Sequence, residues 1–182
     1  MSKAISDLNN DHEAIISAIQ VMGRMVAAME AAPPEDPKEI REFIGFLKEF
    51  ADKCHHGKEE GLLFPAMIAA GVPETGGPIS AMLEDHSRGR QFIQDMEDSI
   101  SSGVDFPKFA QAEKAYAHLL RNHIQKENWV LFPMAENVLS ESQLEKLSTE
   151  FEQHEEKVIG RGRHAELHAM LKRLQEKYPE IK

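Results

Sequence analysis

Two segments of this 182-residue chain repeat each other: HHGKEEGLLFPAM at residues 55–67 and HIQKENWVLFPMA at residues 123–135. They align without gaps, and each holds a His, a Glu four residues later, and then Leu-Phe-Pro. A single His-x-x-x-Glu is usually a solvated pair on one helix face. Here each copy is also preceded by an Asp-His pair, at residues 11–12 and 85–86. The repeat therefore predicts two copies of one helical hairpin that serve the same function.

The rest of the sequence indicates an all-α chain. Segments rich in Ala, Leu, Met, Glu, Lys and Gln, which are good helix formers, are separated by breaks that contain Pro, Gly or Ser. Apolar residues recur at helical spacing, and no segment alternates apolar and polar residues over the length of a strand. Four long helices and two shorter ones are predicted, near 3–31, 37–70, 78–101, 107–138, 142–158 and 161–178.

Short connections between long helices place neighbours antiparallel, so the predicted fold is an up-down antiparallel four-helix bundle with two additional C-terminal helices. We assign residues 1–138 to the four-helix domain and residues 139–182 to a C-terminal helical extension packed on the same domain. Pro65 and Pro133 fall inside predicted helices. A proline there removes a backbone hydrogen bond and should kink the helix or end it a turn early.

The composition excludes several classes of function. Acidic residues outnumber basic ones by 31 to 21, giving a formal charge of −10, which argues against a nucleic-acid partner. A single cysteine excludes an internal disulfide and a thiolate-rich zinc or iron–sulfur site. No apolar run approaches the length of about 18 residues that suggests a membrane span, and no signal peptide is visible. We therefore expect a cytoplasmic protein with no membrane partner.

The repeated motif predicts a metal site. Residues four apart lie on one helix face, about 5–6 Å apart at Cβ, so each His-x-x-x-Glu offers two ligands to one site. The upstream histidines lie about as many residues from the intervening turns as the motif histidines do, which places them at similar heights in the bundle. Six ligands are therefore expected to converge: His12, His55, Glu59, His86, His123 and Glu127.

This ligand set favours two transition-metal ions. A structural zinc site normally closes with four ligands, and calcium and magnesium prefer oxygen. Six ligands related by a pseudo-twofold point instead to two metals, each with two histidines and both bridged by the glutamates. We expect two non-haem iron ions, with manganese or zinc less favoured. A nitrogen-rich di-iron site with free coordination positions should bind a small diatomic molecule or peroxide.

The paired motifs on a predicted four-helix bundle resemble those of the hemerythrin-like, or HHE cation-binding, domain family over roughly residues 5–138, including the Leu-Phe-Pro after each motif. The resemblance implies a non-haem di-iron centre bridged by oxo or hydroxo groups and by the two carboxylates. Members of this family bind oxygen or nitric oxide, sense iron or redox state, or help repair damaged iron centres.

The sequence departs from the oxygen-carrying hemerythrins, which have a second His one turn from the helix-3 ligand. The positions that flank His86 are Met82 and Arg90, and helix 4 offers Glu127 where those proteins have an Asp. The ligand set is thus nearer that of the bacterial relatives with four His and two Glu. This difference argues against reversible oxygen carriage.

The sequence also predicts the placement of several side chains outside the set of six ligands. His154 would supply a fifth imidazole if its helix folds over the bundle, but a charged surface helix is the favoured interpretation. His56 is expected to face away from the site, because successive residues of an α-helix diverge by about 100°. Asp11 and Asp85 are expected to accept the second ring N–H of a histidine ligand on a neighbouring helix. Cys54 is expected to be a packed, unreactive thiol.

Three hypotheses for function follow. The first, which we favour over a dedicated enzyme, is a protein that binds or senses oxygen, nitric oxide or redox state at the di-iron centre. The alternative is an enzyme of oxidative or nitrosative stress, which turns over peroxide or nitric oxide or repairs iron centres. The third is a bundle that binds zinc or no metal. The sequence leaves the oligomeric state open, with a homodimer through the C-terminal helices as one arrangement.

Overall fold

The computed structural model describes residues 1–30 and 37–180, and within them the fold is all-α without strands. Its six helices are α1 (Lys3–Met29), α2 (residues 38–69), α3 (Pro78–Asp98), α4 (residues 106–138), α5 (Glu141–Val158) and α6 (Arg163–Lys177). These agree with the six predicted helices to within three residues at the ends described. The predicted break at 31–37 and the predicted end of the first helix at residue 31 lie almost wholly outside the described residues. None of the described helices is long and apolar enough to cross a membrane.

The starts of several helices are set locally by side chains that accept otherwise unpaired backbone N–H groups. Ser2 accepts from the backbone of Ile5 at the start of α1, and Asp105 accepts from Lys108 at the start of α4. Ser140 forms a capping box with Gln143 at the start of α5. The starts of these three helices therefore follow from the local sequence.

Helices α2 and α4 each contain an internal proline, Pro65 and Pro133, and neither helix ends there. The backbone N–H of Phe64 donates to the carbonyl of Glu59, and that of Phe132 donates to the carbonyl of Glu127. Both bonds span five residues, so the turn before each proline is widened to π geometry. A proline lacks an N–H and its ring clashes with the carbonyl four residues earlier, which a wider turn relieves. The first residue of each widened turn is the glutamate of the repeated motif.

The helices pack so that the repeated hairpins face each other. In the described residues α3 packs along α4, and α1 packs against α2 and α4. The C-terminal helices lie across this bundle, α5 against α1 and α2 and α6 against α1.

The apolar core of the bundle is divided into two clusters. One includes Met22, Phe46 and Phe109 and extends to helix α6. The other includes Leu8 and Phe132 at the opposite end of the bundle and extends to helix α5. The sequence positions of the predicted ligands fall between those of the two clusters on the long helices, except that His123 comes just before Ile124 of the first cluster. The fold therefore holds a polar layer between two apolar ones, closed off from water at both ends.

Candidate metal centre

The structure brings all six predicted ligands into the polar layer. One comes from α1, two from α2, one from α3 and two from α4, and each is at most 2% exposed: His12, His55, Glu59, His86, His123 and Glu127. Ionisable side chains are almost never buried this completely without partners. Their burial as a group therefore indicates a common role.

These side chains form two groups of potential metal ligands, in each of which one atom per residue lies within 4.8 Å of the others. The first group consists of His12, His55, Glu59 and Glu127. The second group consists of His56, His86, His123 and Glu59. Glu59 belongs to both groups, so the two share one carboxylate.

Each carboxylate also lies between a histidine of one group and a histidine of the other. Oε1 of Glu59 is 3.6 Å from Nε2 of His55, and its Oε2 is 3.4 Å from Nε2 of His86. Glu127 repeats the arrangement through a single oxygen, with Oε2 3.1 Å from the Nε2 atoms of His12 and His123. Both glutamates therefore lie between the histidines of the two groups.

Several buried polar atoms of the centre lack well-formed hydrogen-bond partners within the described residues. Among the residues that the structure describes, none donates a well-formed hydrogen bond to either carboxylate oxygen of Glu59 or of Glu127, and Nε2 of His12 and of His55 is also unpartnered. Two buried carboxylates cost several kcal/mol each unless cations compensate them. This donor set of imidazole nitrogens and carboxylate oxygens, with no thiolate, fits divalent transition-metal ions.

The electrostatics of the centre also favour bound cations. Burial disfavours the ionised form of Glu127, but His123 and His12 hold the pKa of this carboxyl well below its usual range. Burial likewise opposes the charged form of His123, yet Glu127 and Asp85 raise the pKa of that imidazole to about 10. The carboxylates thus stabilise positive charge in the polar layer. Bound metal ions would provide that charge in place of protons on the imidazoles.

Two of the histidines are oriented by the aspartates of the repeated Asp-His pairs. Nδ1 of His55 donates to Oδ2 of Asp11 at 3.2 Å, as the sequence predicted. Nδ1 of His123 lies 3.7 Å from Oδ2 of Asp85, too long for a hydrogen bond but close enough for an electrostatic contact. Such partners fix the ring so that its other nitrogen faces the metal position.

Each of these aspartates also contacts the lysine that precedes the glutamate of the motif. Lys58 Nζ is 3.0 Å from Asp11 Oδ2, and Lys126 Nζ is 2.6 Å from Asp85 Oδ2. Burial opposes ionisation of Asp11, but His55 and Lys58 lower its pKa to about 2. Contact with His123 and Lys126 lowers the pKa of Asp85 to about 2 as well. Both aspartates are therefore anionic acceptors at neutral pH.

The other two histidines are oriented by residues that sequence reasoning missed. Nδ1 of His12 lies 2.7 Å from Oδ1 of Asn128, and Nδ1 of His86 lies 2.7 Å from Oε1 of Glu60. Both partners directly follow a motif glutamate, and Arg90 donates a further bond to Glu60. The signal available in the sequence was that both copies place a polar residue at this position, Glu60 in the first and Asn128 in the second.

The expectation that His56 faces away from the site is wrong. Its side chain is 4% exposed, belongs to the second ligand group, and stacks on His86 with ring centroids 3.9 Å apart. The segment Leu47–His56 is π-helical, so successive residues diverge by less than in an α-helix and both His55 and His56 turn inward. Burial and the neighbouring imidazoles lower the pKa of His56 well below its usual value.

The structure does not bring His154 to the centre. Its Nε2 donates to the carbonyl of Lys53 at 3.1 Å, and the side chain lies outside both ligand groups. His118 also lies outside the centre: it is exposed and bonds to Asn122 on its own helix. Cys54 is buried, and burial raises the pKa of its thiol to about 12, as expected for an unreactive cysteine.

Comparison with known proteins identifies the family. The Hemerythrin HHE cation binding domain matches residues 3–135. Similar curated proteins include the iron-sulfur cluster repair protein YtfE of Escherichia coli O139:H28 (strain E24377A / ETEC) and that of Shigella boydii serotype 18 (strain CDC 3083-94 / BS512). Each is 29% identical over 132 residues, which cover 68% of this chain and 59% of the relative.

The chain thus spans about three fifths of the length of these relatives. No solved structure matches it significantly. The domain match covers well over half of the chain and includes every predicted ligand except His154. The His and Glu groups of the bundle indicate metal binding, with iron the metal that the family suggests. This chain belongs to the hemerythrin HHE cation-binding domain family.

Proposed function

We propose that the chain holds two non-haem iron ions, bridged by Glu59 and Glu127, and binds or senses a small diatomic molecule or redox state there. The observation that carries the proposal is the position of each carboxylate between histidines of the two ligand groups, with all four oxygens lacking hydrogen-bond partners within the described residues. A single ion would use only one group. Two ions would satisfy both and compensate the buried carboxylates.

The bound irons would supply a redox-active pair with free coordination positions, which is the chemistry suited to oxygen, nitric oxide or peroxide. The protein itself orients the histidine side chains and excludes water from the centre. His12, for example, is fixed by Asn128 on one side and stacked on Phe132 on another, with ring centroids 5.2 Å apart. The two apolar clusters limit the access of water and would slow loss of the ions.

Iron content tests the proposal directly. Protein purified from iron-replete medium should contain about two irons per chain and absorb in the near ultraviolet, where oxo-to-iron charge transfer occurs. Stopped-flow mixing of the reduced protein with oxygen, nitric oxide or peroxide then separates the hypotheses. A lasting adduct supports binding or sensing, and catalytic loss of peroxide or nitric oxide supports an enzyme. One zinc ion per chain, or no bound metal at all, would reject the proposal.

A second candidate is repair of damaged iron centres, which the similarity to the iron-sulfur cluster repair protein YtfE favours. In that role the irons would be donated to a damaged cluster, so the holoprotein must lose iron to its client. Incubation with an iron–sulfur enzyme inactivated by peroxide, with a thiol reductant as the electron donor, should then restore the activity of that enzyme and lower the iron content of this protein in step. Recovery of activity without loss of iron would reject donation from this centre.

A further inference from the structure

We infer that the groove between helices α3 and α4 is a docking surface for an acidic amphipathic helix of a partner protein. This α3–α4 groove is open, has a volume of about 730 Å³, and is lined by residues that include Arg88, Phe92, Leu119, Lys126 and Trp129. It lies on the surface of the second hairpin, so the inference does not depend on which metal the bundle binds.

The first observation is that a helix of this same chain covers the corresponding groove of the first hairpin. Helix α5 lies against both α1 and α2, and it carries six acidic and two basic residues. Its His154 donates to the carbonyl of Lys53, and its Glu155 pairs with Lys58 at 3.4 Å. The first hairpin thus receives an acidic amphipathic helix between its two long helices.

The second observation is that the equivalent positions of the second hairpin are exposed. The repeat aligns Lys58 with Lys126 and Gly61 with Trp129. The side chain of Lys58 is 3% exposed and that of Lys126 is 49% exposed. Trp129 is 81% exposed, and the adjacent Val130 is 51% exposed. The second groove therefore keeps the lysine of the first, but within the described residues it is open to solvent.

The third observation is that the groove combines an apolar floor with an exposed tryptophan. Leu119 is buried and Phe92 is partly buried, and both line the groove beside Trp129. The apolar face of an amphipathic helix binds to grooves of this kind. Tryptophan is also among the residues that contribute most to the affinity of protein interfaces.

The charges around the groove select an acidic partner. The chain has a formal charge of −10, yet the described residues that line the groove include two cations, Arg88 and Lys126, and a single carboxylate, Asp85. That carboxylate is 7% exposed and lies 2.6 Å from Lys126 Nζ, which neutralises it. A second copy of this chain is a poor occupant, because a twofold axis at the groove would bring these cations together.

The first hairpin also shows how the partner would contact the lysine. Lys58 Nζ contacts two carboxylates, Asp11 at 3.0 Å and Glu155 at 3.4 Å. Lys126 pairs with Asp85 as Lys58 pairs with Asp11, and half of its side chain is exposed. A carboxylate of the partner helix would therefore take at Lys126 the position that Glu155 has at Lys58.

Trp129 is the single tryptophan of the chain, so its fluorescence reports on this groove alone. The probe is a peptide with the sequence of residues 140–159, which contains no tryptophan. It carries His154→Ala, because His154 lies over Gly57 in the first hairpin and the second has Gln125 there. Titration of the peptide into the purified protein should shift the emission of Trp129 saturably to shorter wavelengths, more weakly at high salt.

A charge exchange tests the contact with Lys126. Lys126→Glu should bind the peptide at least about tenfold more weakly, and a peptide that also carries Glu155→Lys should bind this variant better than the first peptide does. Lys172→Glu is the matched control, because it makes the same change in net charge at an exposed position of α6 and should bind as wild type does. Arg88→Glu replaces Lys126→Glu if that variant folds poorly, as judged by circular dichroism.

Three results would overturn the inference. The first is the absence of a saturable shift in wild type, and the second is equal binding of the peptide by wild type and by the charge-reversed variant. The third is a dimer, seen by sedimentation of the protein alone, whose formation shifts the emission of Trp129, because the groove would then be a contact between two copies of this chain. A saturable shift that the variant weakens and the exchanged peptide restores supports the inference.

Discussion

The ammonium group of Lys58 lies 3.0 Å from Oδ2 of Asp11, and the same oxygen accepts the ring N–H of His55 at 3.2 Å. Glu155 of α5 lies 3.4 Å from Lys58, so the C-terminal helices reach the ligand histidine through two charged residues. The corresponding lysine of the second copy is Lys126. The lysine side chains differ in burial, since that of Lys58 is 3% exposed and that of Lys126 is 49% exposed.

This difference in burial predicts that the same substitution lowers the free energy of unfolding by different amounts at the two equivalent positions. Lys58→Met should lower the free energy of unfolding of the metal-free protein by about 3 kcal/mol, because it leaves the buried charge of Asp11 uncompensated. Lys126→Met should cost less than about 1 kcal/mol, because water solvates the half-exposed ammonium group of Lys126 and weakens its attraction to the buried carboxylate of Asp85. Urea denaturation of the two variants in the same buffer measures both costs. Equal losses would contradict the burial argument.

Removal of single ligands should release metal from the bundle. His12→Ala and His123→Ala should each lose at least one ion per chain, and His55→Ala/His123→Ala should retain neither with wild-type affinity. His118→Ala should keep the wild-type content because its imidazole is exposed. Plasma mass spectrometry on dialysed protein gives the stoichiometry. Full retention in the double variant would show that the ions bind elsewhere.

The contact between α5 and α2 predicts a glycine requirement at position 57. A Cβ on Gly57 would lie 2.6 Å from Nε2 of His154, whereas a Cβ on Gly61 of the same helix would meet nothing within 4 Å. Gly61→Ala should stabilise the helix by up to about 1 kcal/mol. Gly57→Ala should be less stable than Gly61→Ala by about 1 kcal/mol, because the His154 side chain must move and lose its hydrogen bond to the carbonyl of Lys53.

Addition of His154→Ala to Gly57→Ala should recover part of that loss, since the shorter side chain leaves room for the new methyl group. Thermal unfolding of the single and double variants measures this coupling. If Gly57→Ala proves as stable as Gly61→Ala, then α5 does not pack on α2 at this point.

Glu113 on α4 predicts a dependence of stability on pH that is independent of the metal ligands. It is 5% exposed, and burial raises the pKa of its carboxyl to about 7. The folded state therefore holds this proton more tightly than the unfolded state does. Its contribution to stability is complete below about pH 4.5, the usual value for Glu, and is lost as the pH rises through 7.

Glu113→Gln should thus raise the free energy of unfolding at pH 8 by about 3 kcal/mol and change it little near pH 5. Glu145→Gln, at an exposed position of α5, is the matched control and should have no such effect. Urea denaturation across this pH range gives both profiles. Parallel curves for wild type and Glu113→Gln would mean that Glu113 is solvated in the folded state.

The sequence by itself determined the helices and most of the candidate metal ligands. Helix formers between Pro and Gly breaks define the rods, and side chains such as Ser2 and Asp105 cap them through local hydrogen bonds. His-x-x-x-Glu places two ligands on one face because the covalent geometry of a helix fixes that spacing. Repetition of the motif then distinguished Glu59 and Glu127 from the many glutamates of the surface.

Only the tertiary structure decided the position of His56 and the partners of the ligand histidines. His56 turns inward because the helix before it is widened to π geometry. The sequence-based prediction assumed the 100° rotation per residue of an α-helix and therefore missed it. His12 and its partner Asn128 are 116 residues apart, so no local pattern relates them. His154 is likewise placed by the docking of α5 on α2. Spacing within one helix is set by local geometry, whereas contacts between helices depend on how their surfaces pack.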